Sequence, residues 1–368
     1  MQNRTVSLAI VAIAFTCPAL AGSPDDLFDW VTIGSPGNAS APGHDPGVGT
    51  VDYTYRMTRT PVTMDRWVNF VHAYLPYYTG IPEDFAFITD MLFVDPTNPT
   101  RPDGLPNYFL PVQYEQRAAR LSLEYAARYV NWLHNGMVNE QWAFESGVYD
   151  TSTFWIDDNN LAQHDLTPAA GARYWIPSLG EMIKAGYYDP EKNNGEGGWW
   201  LYPNGTDEPL TIGLPGEGGE TIGELVEPLE WDVGQYPVTM SPFGLLDVSG
   251  VVFQMTTTQA GPRGTGVRIV GSYAGATFLE TLLGDHLSDH YTYSYILYNS
   301  FFMGFRIAAL SCQADLAAPY GTLDATDLAE YLARFQAADP TADLAEPFGM
   351  INFFDLAAYL AAFNAGCP

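Results

Sequence analysis

The chain of 368 residues carries 43 acidic side chains against 15 Lys and Arg, a formal charge of −28, although charged residues make up only 16% of it. With 47% hydrophobic and 14% aromatic residues it has enough apolar material to bury a core, which excludes a mostly disordered chain. A surface this acidic repels phosphate polymers and anionic bilayers, so no nucleic acid is expected as a partner; it suits cations such as calcium, or basic ligands.

The first residues, 1–21, read as a signal peptide. Arg4 starts it, 6–15 is a short apolar run, and Ala19-Leu20-Ala21 is a small-x-small cleavage site that leaves Gly22 as the mature start. The run is too short to cross a bilayer, and no later segment stays apolar for about 18 residues, so no membrane span is expected. The mature protein is placed outside the cell, secreted or at its surface. Three stretches then show helical periodicity. In 62–73, Met64, Val68, Phe70 and Val71 interleave with polar residues; 121–133 ends on Asn135-Gly136, a C-cap signature; and 179–185 follows Ser178, an N-cap that Glu181 turns into a capping box. Ile176-Pro177 stops the strand before that helix. Further on, Phe243 to Asp247 is a tight turn feeding a short buried strand over 251–255, and Gly304-Phe305-Arg306 sets a final strand beside a guanidinium able to clamp carboxylates or backbone carbonyls. Loops dominate the rest, which predicts an α+β domain with little regular structure.

The end of the chain contains a repeat at an offset of 28 residues: DLAAPYGTLDATDLAEYLARF (315–335) and DLAEPFGMINFFDLAAYLAAF (343–363). Each copy is an acidic turn followed by a helical pattern, and in the second Leu356, Tyr359, Leu360 and Phe363 form an apolar stripe for the copies to bury face to face. Cys312 and Cys367 flank the segment. In an exported protein they predict a disulfide, and in the chain-entropy model a ~55-residue loop closed this way gains roughly 4 kcal/mol. The repeat resembles a dockerin, a pair of calcium loop–helix units that docks onto cohesin partners. The resemblance implies calcium held by Asp315 and Asp343 as first ligands, Asp327 and Asp355 as last, and Asp324 and Asn352 between them. Ala317, Pro319, Ala345 and Pro347 stand where dockerins carry Asn or Asp, and each loop is one residue longer than a dockerin's. The competing reading is that these acids cap helices in a packing module.

Motifs in the larger part occur in a recognisable order: DYTYRMTRTPVTMDRWVNFVHA (52–73), LSLEYAARYVNWLHNG (121–136), YWIPSLGEMIKAGYYDP (174–190), WWLYPNG (199–205), SPFGLLDVSGVVFQM (241–255), RIVGSY (268–273) and GFRIAA (304–309). Together they resemble the sulfatase-modifying-factor family, whose enzymes generate formylglycine. The resemblance implies an irregular C-type-lectin-like α+β domain over 22–310, followed by the small all-α dockerin-like module over 311–368. The family's enzymes oxidise a substrate cysteine with a cysteine pair that holds copper, between the motifs here at 268–273 and 304–309. This chain has no cysteine there, so copper is not expected. The strand that helps bind a structural calcium in the family reads Val251-Val252-Phe253-Gln254-Met255, without its Asn and Glu. A non-catalytic role therefore leads: recognition of carbohydrate or protein on the cell surface, with a glycan or a cohesin-like protein as partner. Tyr273, Tyr291, Tyr293 and Tyr295 are candidates for stacking on a ligand, or equally for one face of a strand. The alternative is a metal-dependent oxidoreductase acting on exported proteins, with Asp285, His286, Asp289 and His290 as a candidate metal site on one helical face.

Overall fold

A computed structural model describes residues 24–79, 87–156, 162–222, 231–260, 266–270, 285–288, 291–293, 303–311, 314–317, 323–345 and 350–365. The signal peptide, Cys312, Cys367, Tyr273, Tyr295, Asp289 and His290 lie outside these. The first third holds β1 (Trp30–Ile33), β2 (Tyr55–Thr58), α1 (Met64–Tyr74), β3 (Phe93–Val94), β4 (Tyr108–Phe109) and α2 (Leu123–His134). The middle adds α3 (Gln141–Glu145), β5 (Trp155–Ile156), β6 (Ala162–Gln163), β7 (Tyr174–Trp175), α4 (Leu179–Tyr187), β8 (Tyr188–Asp189), α5 (Lys192–Gly195) and β9 (Gly198–Trp199). The last part holds β10 (Phe253–Ala260), β11 (Gly266–Val270), β12 (Tyr291–Tyr293), β13 (Met303–Gly304), β14 (Ala308–Leu310), α6 (Ala325–Gln336) and α7 (Phe353–Ala365). The chain is α+β. Among the described residues no helix is long and apolar enough to cross a membrane.

Two four-stranded sheets frame the large domain. One runs β1-β2-β14-β7, antiparallel throughout, so the last strand of the domain lies between the first pair and β7. The other runs β12-β11-β10-β13, with β10 and β13 parallel. Helices α1 and α2 bury one stripe each: Met64, Trp67, Phe70, Val71 and Tyr74 from α1, and Leu123, Ala126, Ala127, Val130 and Leu133 from α2. Their aromatic rings meet in the core, with Trp67 4.8 Å from Phe70 and 5.5 Å from Tyr129, and Phe70 5.4 Å from Tyr129. Tilted and edge-on pairs of this kind add about 1 kcal/mol each beyond the area they bury. Buried Asn131 closes the turn after α3: its amide donates to Phe144 O and Tyr149 O, and its carbonyl accepts from Val148 N and Tyr149 N.

Helix α4 starts at the expected capping box. Ser178 Oγ accepts from Glu181 N at 3.2 Å, and Glu181 Oε2 accepts from Ser178 N at 2.7 Å. Three expectations need correction. The strand expected at 251–255 begins later and runs further, as β10, because its long partner β11 extends the ladder across a bulge. The strand expected at 304–306 is split between β13 and β14, with Phe305 to Ile307 buried between them. In α7 the buried stripe is Tyr359, with Leu356 and Phe363 packed against it, whereas Leu360 faces solvent. Gly304 explains its own identity: a Cβ there would stand 2.6 Å from Val252 Cγ2 and 3.2 Å from Ala119 O.

The tail is packed on the large domain through Arg334 of α6. Its guanidinium lies against Gly171, where a Cβ would be 2.4 Å from Nη2, and it faces His134 at the end of α2. His134 is buried, and its Nδ1 accepts from Arg173 N at 3.2 Å. Burial, then the charges of Arg173 and Arg334, lower its pKa from 6.5 to about 3. The folded protein therefore resists protonation, and the stability that neutral His134 contributes is complete above pH 6.5 and lost as pH falls towards 3. At pH 5 the expected loss is about 2 kcal/mol. Urea unfolding of wild type and of His134→Gln, which keeps an acceptor for Arg173 N, should show a shallower decline between pH 7 and 5 in the variant. Equal slopes would refute the assignment.

Candidate functional site

The tail repeat folds as two interlocked copies. Asp327 stands in the first turn of α6, and its Oδ1 accepts from Leu316 N at 2.7 Å and Ala317 N at 2.8 Å, while Oδ2 accepts from Asp324 N at 2.8 Å. Asp355 does the same in α7: Oδ1 accepts from Leu344 N at 2.7 Å and Ala345 N at 2.8 Å, and Oδ2 from Asn352 N at 2.7 Å. Asp324 caps α6 by accepting from Thr326 N at 2.6 Å, and Asn352 caps α7 by accepting from Phe354 N at 2.8 Å. Each residue on one side has its counterpart 28 positions along on the other.

The copies exchange their tyrosines. Tyr331 donates to Ala342 O and Tyr359 to Ala314 O, both at 3.1 Å, and the two rings stack at 3.9 Å and 4° between the repeats. Burial, then the charges of Asp355, Tyr359 and Asp343, push the Tyr331 hydroxyl pKa up. Burial and the charges of Asp327 and Asp315 do the same for Tyr359, against a smaller opposing effect of Arg334. Each ring is thus seated among the acids of the other copy. Asp315 is buried and Asp343 half-buried beside them. The structure brings the six residues expected to hold calcium together as two triplets, and the last carboxylate of each is engaged by three backbone N–H groups. Among the described residues no group of three or more His, Cys, Asp and Glu is arranged to hold a metal.

The segment 285–288 forms turns, not the helix that the Asp285/His286 reading assumed. Neighbouring residues there take separate partners. Asp285 is buried and its Oδ2 accepts from Ser249 Oγ at 2.7 Å, which in turn lies 2.8 Å from Thr221 Oγ1. His286 turns its Nδ1 to Ser288, accepting from Ser288 N at 3.2 Å with Ser288 Oγ at 2.8 Å, and sets its ring edge-on to Tyr202. His44 donates to Leu287 O at 2.5 Å and ties the turn to the start of the chain. Tyr291 and Tyr293 lie on β12, their backbones paired with Ile269 and Val267 of β11.

Beside this turn, Glu220, Tyr236, Thr239, Asp247 and Ser249 line a shallow cleft. Asp247 sits in the left-handed region, φ 54°, and accepts from Gly234 N at 2.7 Å. Burial pushes its carboxyl up to about 6, against the Gly234 N–H and the charge of Arg306. Behind it Arg306 is fully buried. It donates from Nε to Gln254 Oε1 at 2.5 Å, from Nη1 to Thr58 O at 2.9 Å and Arg59 O at 2.6 Å, and from Nη2 to Leu246 O. Gln254 passes the contact on, its amide donating to Asp247 O at 2.7 Å. The guanidinium of the GFR motif therefore clamps backbone carbonyls of two segments, one of the two uses the sequence allows it.

Two groups of aromatic side chains escaped the sequence reading: Phe93, Phe109 and Tyr114 around the β3–β4 ribbon, and Phe353 and Phe354 at the start of α7. All are exposed or half-buried. Alternation places Phe109 outward from buried Tyr108, but the two-residue strands are too short for that signal to be read.

No protein-family model and no curated protein matches the chain. Among solved structures it is similar to a crystal structure of CarF, at 14% identity over 77% of this chain and 98% of that one, TM-score 0.42. It is also similar to Treponema denticola variable protein 1, at 14% identity over 76% and 94%, TM-score 0.42. A structure of PvdO from Pseudomonas aeruginosa matches at 16% identity over 76% and 91%, TM-score 0.35.

Proposed function

We propose that the protein is an exported, non-catalytic recognition protein whose large domain binds carbohydrate or protein at the cell surface, and whose dockerin-like tail attaches it to a partner protein. The observation that carries this reading is an asymmetry in the tail. Phe353 is 73% exposed and Phe354 and Met350 are 61% exposed each, at the start of α7. The corresponding positions of the first repeat, Ala325 and Thr326, present no such surface. Exposed aromatic pairs next to a well-packed repeat are what an interface with an apolar pocket recognises. The tail carries eight acidic side chains and one basic one, Arg334, over 311–368, so the matching surface is a basic-rimmed, cohesin-like pocket. The hydrogen-bond pattern of Asp327 and Asp355 supports a tail whose loops are closed by carboxylates acting on backbone N–H groups.

The test is retention on cells of the native host. Wild type should stay with the cell-surface fraction, and the Phe353→Ala/Phe354→Ala variant should be released at least tenfold more into the medium. Equal retention would sink the attachment role. Plasma mass spectrometry of the same mature protein checks the non-catalytic part: copper, iron or zinc near one per chain would favour the oxidoreductase alternative.

A further inference from the structure

We infer that the β3–β4 ribbon is a stacking platform for a neutral, flat polysaccharide, an inference that rests on the recognition role proposed for the large domain and names its site. The ribbon pairs Phe93 with Phe109 and Val94 with Tyr108. Tyr108 points into the core, while Phe93, Val94 and Phe109 are between 40% and 44% exposed and Val112 is 76% exposed. The ring of Phe93 lies 6.2 Å from Phe109 and 6.3 Å from Tyr114, nearly parallel to the latter at 18°. Tyr114 runs nearly parallel to Phe93 and supports its ring, while Phe93 and Phe109 are inclined to each other at 43° on one face of the ribbon.

The platform is held rigid from below. Asp95 N donates to Asn107 O at 2.8 Å, and Asp95 Oδ1 accepts from Thr97 N, Thr97 Oγ1 and Asn98 N within 3.2 Å. Arg101 Nη1 donates to His72 O at 2.9 Å, and His72 Nε2 donates to Tyr108 O at 2.8 Å, fastening the ribbon to α1. A surface fixed in this way loses little conformational entropy on binding.

Size and charge choose the occupant. Phe93 and Phe109, 44% and 40% exposed on the same face of the ribbon, offer on the order of 200 Å² of apolar surface, about a quarter of the ~800 Å² per partner that a stable protein interface buries. That area suits a few sugar rings. The one cation on the ribbon, Arg101, is paired with Asp103 at 3.0 Å, and Asp95 and Glu115 stand nearby. Anionic polymers are repelled by this surface, and so is a second copy of a chain with net charge −28. A neutral β-linked polymer, whose pyranose rings present flat C–H faces and equatorial hydroxyls, meets neither obstacle.

The experiment is a depletion isotherm of the mature full chain on microcrystalline cellulose and on chitin, with polygalacturonate as the anionic control. Binding to at least one neutral polymer is expected, undiminished at 0.5 M salt, with none to polygalacturonate. Phe93→Ala/Phe109→Ala should bind at least tenfold more weakly with an unchanged thermal midpoint, and Phe109→Trp should bind as well as wild type or better. Wild-type affinity in the double alanine variant would overturn the platform and leave carbohydrate recognition standing elsewhere on the domain. No binding of wild type to either neutral polymer would overturn the platform outright, while attachment through Phe353 and Phe354 is read separately by cell retention.

Discussion

Replacing Arg306 with alanine is expected to unfold the large domain or to lower its melting temperature by about 5 °C or more. Three acceptors lose this donor at once, Gln254 Oε1 and the carbonyls of Thr58 and Leu246, while the Arg59 carbonyl keeps Leu246 N at 2.8 Å. Leaving one buried polar group unsatisfied costs roughly 1–3 kcal/mol, so three amount to at least about 3 kcal/mol against a typical total of about 5–15. With an unfolding entropy of roughly 2.1 cal/mol/K per residue, 1 kcal/mol moves the midpoint of a domain of roughly 290 residues by about 1.6 °C. Asp247 loses its countercharge in the same step, which raises the cost of its buried carboxylate. Arg306→Lys should fall between, because an ammonium cannot reach carbonyls on two segments in the planar pattern of a guanidinium. Calorimetry of both variants decides it. A midpoint for Arg306→Ala within about 2 °C of wild type would show that the clamp is dispensable.

Asp355→Ala is expected to unfold the tail and leave the large domain intact. The substitution strands the N–H groups of Leu344, Ala345 and Asn352, each of which donates to the carboxylate. Charge-assisted bonds contribute roughly 1.5–3 kcal/mol each, so the loss is about 4 kcal/mol or more, beyond what a module with a core of five buried apolar residues among the described ones can absorb. Because Tyr331 and Tyr359 stack across the repeats, losing α7 removes the support of α6 as well. Hydrogen exchange should therefore show protection lost in both helices together, with the amides of α1 and α2 unchanged. Exchange confined to α7 would mean that the copies fold independently. Millimolar calcium is expected to leave the wild-type tail's protection unchanged. A tenfold gain would instead assign Asp327 and Asp355 as ligands, as the dockerin resemblance implies.

Local patterns predicted most of the helices because their determinants lie within one or two turns of chain. The apolar positions of α1 and α2 repeat at 3.6-residue spacing, and Ser178 with Glu181 closes its capping box over three residues. The tail repeat was legible for a similar reason, since the 28-residue offset preserves every capping residue. Leu360 went wrong because periodicity shows that a face is apolar but not how wide the partner is. Tyr331 covers Tyr359, whereas Leu360, one position on, is left 38% exposed. The helical premise for Asp285 and His286 failed because the spacing of two histidines carries no information about backbone when Ser249, Ser288 and His44 each hold a different part of the turn.

By itself the sequence determined where α1, α2, α4, α6 and α7 form, that the tail is a duplicated unit, and that the surface is strongly acidic. These follow from composition and from interactions between residues a few positions apart. Only the tertiary structure decided that Arg306 joins Thr58, Arg59 and Leu246, that the tyrosines of the tail are exchanged between its copies, and which phenylalanines are left outside. Each of these depends on segments far apart in the chain arriving at one place, and a side chain's burial is a property of those neighbours rather than of its own position in the sequence.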